Sequence, residues 1–343
     1  MRFHYIQMLR FAAAAGVLLY HAHVHIGRLV GESALARAFD VHFSWGVELF
    51  FAISGFVIAH SLARTPPARF AAHRVLRIYP AYALAFLGVI AAKWALGVDA
   101  PSLDAAVRGV SLLPVCCADY PRGVEWSLVY EIFFYALVAA IAGLPWRNAR
   151  EWAMLGWLLA IGAAAWWEPS RATAFLPGWR LIVLSAFNLP FIAGVLAYAW
   201  FCRVERVPMI PLVCALPVAL FAANQMSATE AQLAWLAVGF GALVLAAAEL
   251  SRRRDASARH PIVRLGDWSY GLYLVHVPVV RVVATAFGAS PQWANAAFVI
   301  ALAVALAAGL AFGAAEMALY RYNKAWLARR ALGAAGIGVQ TKA

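Results

Sequence analysis

Apolar residues come in long runs along this chain, broken by short basic or turn-forming stretches. Ten runs are long enough to cross a bilayer core, which takes about 17–25 residues with allowance for tilt. They fall near residues 8–27, 44–63, 79–97, 126–145, 152–168, 182–201, 209–224, 231–250, 266–287 and 293–315. The fifth and seventh are the shortest. This pattern predicts an all-α, polytopic membrane protein with about ten transmembrane helices. Residues 98–125 form the longest connection expected on the outer side, with room for a short helix. No Pro/Gly/Ser-rich linker or long hydrophilic insert interrupts the pattern. Residues 1–315 therefore read as one transmembrane domain, and 316–343 as a basic cytoplasmic tail that lies on the inner surface or is disordered.

Composition agrees with a membrane solvent. The 343 residues are 64% hydrophobic and 13% charged, about half the charged share of a soluble domain, and the mean hydropathy is +0.75. A net charge of +12 raises the question of nucleic acid. The Lys and Arg residues answer it, because they cluster between apolar runs as membrane topology places them. With the N-terminus inside, twenty fall in inner segments and six in outer ones. Both termini are expected in the cytoplasm, with the lipid bilayer as partner and no nucleic acid. Of the four cysteines, Cys116 and Cys117 are adjacent and are expected to be unpaired, since neighbours bridge only with strain. The N-terminal run lacks a clean small-x-small cleavage site, so it reads as an uncleaved first span.

Against this background the polar residues inside the runs stand out. Arg10 and His21 are eleven residues apart, about three helical turns, so in a helix they share a face roughly 16 Å apart along it. His25 shares that face and His23 does not. With no acidic or Cys ligand near in sequence, no metal site is expected. Glu48 opens the second run, either as an interfacial carboxylate in water or as a site acid, and Ser54–Gly55 form a small pair suited to close helix approach. Arg74 and Arg77 lie at i and i+3, which either topology alone or an anion site explains. Pro80 is expected to start the third span. Glu131 sits a turn and a half inside the fourth run, as a functional acid or as partner of a buried arginine. Ser127 and Tyr135, four residues either side, are placed to hydrogen-bond it. Tyr270, Tyr273 and His276 form a stripe spaced by three in the ninth run, and Glu316 near the end of the tenth is expected to meet an inner-face arginine.

Five stretches together resemble the acyltransferase-3 family, integral membrane enzymes that O-acylate cell-surface glycans and some small molecules. They are Arg10 with ten residues before His21, GVELFFAISGFVI at 46–58, Arg74-x-x-Arg77 followed by IYP, WSLVYEIFFY at 126–135, and LGDWSYGLYLVH at 265–276. The family often has Asp where this chain has Glu48, which keeps the carboxylate. Residues 140–260 match only as hydrophobic spans. The resemblance implies the stand-alone form, without the fused esterase-like domain of some relatives. It implies acyl-CoA, acetyl-CoA above all, as cytoplasmic co-substrate, with no permanently bound cofactor. The acceptor is a hydroxyl of a cell-surface carbohydrate, a lipid-linked glycan or a similar molecule, met near the outer side of a bacterial inner membrane. His21 is then the catalytic residue, and Arg10, Arg74 and Arg77 serve the acyl donor.

The residues allow two chemical routes. A neutral imidazole at His21 can take the acceptor's proton as attack begins, or carry the acyl group itself. Glu48 and Glu131 are the candidates to orient that imidazole. Ser127, Tyr273 and His276 are candidates to support these groups or to meet the acceptor. A different class of protein, a transporter or permease for a glycan or small organic anion, also places ionisable residues inside spans. Against it, no internal repeat or paired broken helices are visible.

Overall fold

Helices occur at all ten expected places. The computed structural model describes residues 3–39, 41–96, 101–114, 123–142, 149–168, 178–179, 181–254 and 260–334. In chain order the helices are α1 (His4–Leu29), α2 (Gly46–Leu62), α3 (Pro67–Leu96), α4 (Leu103–Ser111), α5 (Glu125–Ala142), α6 (Ala149–Trp167), α7 (Leu189–Arg203), α8 (Met209–Gln225), α9 (Thr229–Arg253), α10 (Pro261–Phe287) and α11 (Ala294–Ala334). α4 is the short helix expected in the 98–125 connection, capped by the Ser102 hydroxyl, which accepts from Ala105 N at 3.2 Å. No strand occurs among the described residues. Among the described residues, six segments are long and apolar enough to cross a membrane: His42–Leu62, Pro67–Ala95, Ala186–Arg203, Thr229–Arg253, Pro261–Phe287 and Pro291–Trp326. α1, α5, α6 and α8 are shorter or more polar. Cys116 and Cys117 lie outside the described residues, and Cys202 and Cys214 are free.

α1 is buried on two sides because its apolar positions form two stripes. Ala14, Leu18, Ala22 and Ile26 recur every four residues and pack into a core with Leu272, Val280 and Ala284 of α10 and Ala297, Phe298 and Ala301 of α11. Ile6, Ala13 and Val17 point into the larger core built by α2, α3, α5, α7 and α9. The seam between them carries Arg10 and His21. α1 is thus a wall shared by both cores.

The structure corrects three boundaries. Pro80 does not start the third helix. α3 begins at Pro67 and runs thirty residues with Pro80 inside. The pair Pro66–Pro67 provides the helix start. Pro80 removes one backbone donor, a loss that helix packing in a membrane tolerates. Arg69, His73, Arg74 and Arg77 therefore ride on the same rigid helix as the span. The sixth run starts later than its apolar residues suggest. Ile182–Leu184 and Ala186–Asn188 are two 3₁₀ turns, held by Asn188 Nδ2 donating to Ile182 O at 2.7 Å, and α7 begins only at Leu189. α11 passes residue 316 without a break and continues to Ala334. At 1.5 Å per residue its 41 residues span about 62 Å, twice a hydrocarbon core.

α2 and α7 approach at backbone distance. A Cβ on Gly55 would lie 2.1 Å from Phe191 O, and one on Gly194 2.0 Å from Ala52 O. The small residue noted at position 55 therefore does what its size suggests, and it has a reciprocal partner. Gly194→Leu is expected to force the two helices apart and destabilise the protein by at least the ~1–3 kcal/mol of ordinary overpacking. The check is the thermal midpoint of the full-length protein in detergent. A midpoint equal to wild type would mean that the two helices do not meet there.

Candidate active site

α1, α2, α3, α5 and α10 close around an interior cavity of ≈ 120 Å³. α1 supplies Gln7 and Arg10, α3 Arg74 and Arg77, α5 Ser127, Glu131 and Tyr135, and α10 Tyr270 and Tyr273, while α2 adds Phe50, Phe51 and Ser54. A wider vestibule of ≈ 560 Å³ shares Gln7, Arg10, Arg74 and Arg77 as walls. Its other walls include Arg64, Arg69, His73 and Lys324, together with Tyr320 and Asp267. Four polar side chains thus stand at a threshold between a basic vestibule and a narrower, more apolar interior.

Buried guanidiniums need partners, and each threshold arginine has them. Arg77 forms an ion pair with Glu316, with side-chain exposures of 14% and 3%. Its guanidinium also lies over the rings of Tyr270 and Tyr320, at 5.2 and 5.5 Å. Its Nη2 is buried and carries no hydrogen bond. Arg74 donates to Ser61 Oγ at 2.9 Å and sits between the rings of Phe70 and Tyr135. Arg10 donates to Gln7 Oε1 at 3.1 Å, one turn back on its own helix. Tyr135 OH donates to Glu131. The site therefore presents fixed positive charge with two carboxylates set among it, a suitable lining for an anionic ligand.

The other end of the interior cavity is a hydroxyl pair. Ser127 Oγ and Tyr273 OH are 2.5 Å apart, and both reach the carbonyl of Val124, at 3.1 and 3.2 Å. The Tyr273 ring lies 5.7 Å from that of His276, and His276 lies 5.1 Å from His21. His25 stacks on His21, with centroids 6.0 Å apart and planes at 18°. Threshold arginines, cavity, hydroxyl pair and imidazoles follow one another through the bundle.

Most of the residues expected to act are brought together here. Arg10, Arg74, Arg77, Glu131, Ser127 and Tyr273 line one cavity, with His276 and His21 behind it. The carboxylates fall differently from expectation. Glu131 faces the arginines and Tyr135, as a partner of buried cations does, while the ring neighbours of His21 are Tyr20, His25 and His276. Ser127 turns from Glu131 to Tyr273 because its hydroxyl donates to the carbonyl of Val124, one turn back. Glu48 is buried in the first turn of α2, and its Oε2 carries no hydrogen bond. Glu316 meets an inner-face arginine as expected. Sequence reasoning missed Tyr320 and Lys324. Residues 316, 320 and 324 are spaced by four, one face of a helix, so continuing the last helix past 316 would have revealed them.

Comparison with known proteins bears directly on this arrangement. A family model, acyltransferase-3, described as an acyltransferase domain, matches residues 3–314. An exopolysaccharide production protein, ExoZ, of Rhizobium meliloti (strain 1021) is 30% identical over 258 residues, covering 70% of this chain and 78% of that protein. Nodulation protein 10 of Rhizobium leguminosarum bv. viciae is 26% identical over 309 residues, 80% of this chain and 82% of that protein. No solved structure matches.

The Arg77–Glu316 pair ties α3 to α11 at the threshold. Glu316→Ala would leave a buried guanidinium unpaired, at a cost of roughly 3–5 kcal/mol. Arg77→Met combined with Glu316→Leu removes both charges and should recover most of that loss. Thermal unfolding of the purified single and double variants checks this. A Glu316→Ala variant as stable as wild type would mean that the pair is open to water.

Proposed function

Because the chain belongs to the acyltransferase-3 family and is a multi-pass membrane O-acyltransferase, we propose that it moves an acyl group, acetyl by preference, from cytoplasmic acyl-CoA to a hydroxyl of a surface carbohydrate. The membrane is the inner membrane of a bacterial cell, with both termini and the vestibule on the cytoplasmic side. The vestibule residues Arg64, Arg69, Arg74 and Lys324 all come from segments that the charge bias assigns to that side. Family membership also decides for an enzyme over a permease. The relative's role in exopolysaccharide production is the reason for choosing a carbohydrate as acceptor.

The observation that carries this reading is that two cavities share Gln7, Arg10, Arg74 and Arg77 as walls. Coenzyme A has phosphates at one end and a thioester at the end of a long, thin arm. The phosphates are assigned to the vestibule, among Arg64, Arg69, Arg74 and Lys324, where guanidiniums and an ammonium can meet them. The arm passes between Arg10 and Arg77, two of the side chains that both cavities share. The thioester stops at the hydroxyl pair of Ser127 and Tyr273. The acceptor arrives from the opposite side, where His21 takes its proton as the oxygen attacks. The C–O bond forms, the C–S bond breaks, and the thiolate leaves toward the vestibule with the proton returned to it. General-base help of this kind is worth about 10²–10⁴-fold.

Two measurements test the two ends of the site. His21→Ala, made at normal levels, should abolish acylation of surface polysaccharide read by mass spectrometry, and unchanged acylation would remove His21 from the reaction. At the vestibule, Lys324→Ala and Arg74→Ala should each raise the KM for acetyl-CoA by roughly tenfold, the value of one charge-assisted hydrogen bond. The same variants should leave the KM for acetyl-pantetheine, which lacks the phosphates, near wild type. Equal effects on both donors would assign these residues to something other than phosphate. Arg77 is a poor choice for this test because its loss strands Glu316.

A further inference from the structure

The interior cavity is ordered along α2. Arg74 of the threshold reaches Ser61, in the last turn of that helix, at 2.9 Å. Phe50, in the second turn, meets Tyr273 of the hydroxyl pair, with ring centroids 5.8 Å apart and planes at 69°. The α2 residues on the cavity run from Val47 to Ile58, about 16 Å of helix. A volume of ≈ 120 Å³ spread over that length is a slot rather than a chamber. The hydroxyl-pair end of the slot has fixed walls. Phe51 is 3% exposed and packs edge-to-face with Trp126 and Phe134, at 6.0 and 5.2 Å. α2 starts hard against α1, where a Cβ on Gly46 would lie 2.6 Å from Ala13 O, so the turn that carries Val47 has no room to shift that way. Phe50 lines the slot and is only partly buried, and it packs against both hydrophobic cores.

We propose that Phe50 limits the acyl group to acetyl. This rests on the donor path proposed above, with the thioester at Ser127 and Tyr273. An acyl group on that thioester lies beside the Phe50 ring. Acetyl ends there in a single methyl, whereas propionyl and butyryl need one and two methylenes' worth of the space that the ring fills. The ring has Tyr273 on one side and the two cores behind it, so it yields only at the cost of overpacking them. Succinyl is excluded on a second ground. Its terminal carboxylate would be buried among Val47, Phe50 and Phe51, while the threshold arginines stand at the other end of the slot. Burying an unpaired carboxylate costs far more than burying a methylene. Length and charge are therefore selected separately, length by Phe50 and charge by the apolar walls around it.

The test uses the full-length protein in inside-out membrane vesicles, with donors radiolabelled in the acyl group and label counted in the vesicle polysaccharide. Wild type should prefer acetyl-CoA to butyryl-CoA by roughly 10–200-fold in kcat/KM, the range for a misfit methylene. Phe50→Ala should narrow that preference by about tenfold or more and leave succinyl-CoA a poor donor. Phe50→Leu, which keeps much of the core contact, should move the ratio the same way by a smaller factor. It carries the test if the Ala variant is poorly made. General loosening of the fold would lower all donors together and leave the ratio where it was. Equal use of acetyl-CoA and butyryl-CoA by wild type, or an unchanged ratio in both variants, overturns the proposal. A gain for succinyl-CoA as large as that for butyryl-CoA in Phe50→Ala overturns the part assigned to the apolar walls. If wild type transfers label from no acyl-CoA, the underlying donor reading fails instead.

Discussion

Gly266 of α10 lies so close to α1 that a Cβ there would meet the carbonyl oxygen of Gln7 at 2.0 Å. That contact fixes how the two helices cross, and the candidate site is strung along their seam. Near the contact, α1 presents Gln7 and Arg10 to the threshold. Further along, the same pair of helices brings His21 against His276. On its other side α10 meets α11 through Gly271, where a Cβ would lie 2.3 Å from the Gly313 backbone. Glu316, less than a turn beyond Gly313, is thereby held where it meets Arg77. Small residues on two sides of one helix position both the imidazole pair and the ion pair, because without side chains between them backbones can approach this closely.

A second constraint is electrostatic. A membrane-embedded bundle tolerates charge only where it is paired or faces a polar cavity. Arg77 is paired, and Arg10, Arg74 and Arg77 all face the cavities. Their neighbours are Gln7, Ser61, Glu316 and four aromatic faces, and all three arginines border both cavities. The aromatic and carboxylate partners hold the guanidiniums in place when no ligand is bound. A site prepared in this way needs little rearrangement to receive an anion, which is what preorganisation contributes to binding. The imidazole end is built differently: the neighbours of His21 there are the rings of Tyr20, His25 and His276.

Much of this was legible in the sequence because a bilayer imposes simple requirements. Helix positions followed from apolar run length. Arg10 and His21 were aligned by their spacing, and Glu316 was matched to an inner-face arginine by depth alone. The failures have physical causes as well. Pro80 looked like a helix start because proline usually is one there, whereas tertiary packing carried α3 through it. Residues 182–188 are as apolar as a helix, and only the side-chain bonds of Asn188 and Ser185 make them 3₁₀ turns. The last helix was cut at 316 because hydropathy ends there, which hid the 316–320–324 face. Glu131 was offered to His21 because helix numbering gives depth but not which neighbour a side chain faces. The partner that His21 does meet, His276, lies 255 residues away, a pairing that no local pattern encodes.

The central claim is that an acyl donor enters past the arginines and ends beside His21. The direct measurement is a structure of the full-length protein with a non-hydrolysable acetyl-CoA analogue bound. The account predicts the phosphates among Arg64, Arg69, Arg74 and Lys324, the arm passing between Arg10 and Arg77, and the acyl carbon near Ser127 and Tyr273 within reach of the imidazoles. An analogue bound with its acyl group in the vestibule, or on the opposite face of the bundle, would contradict it.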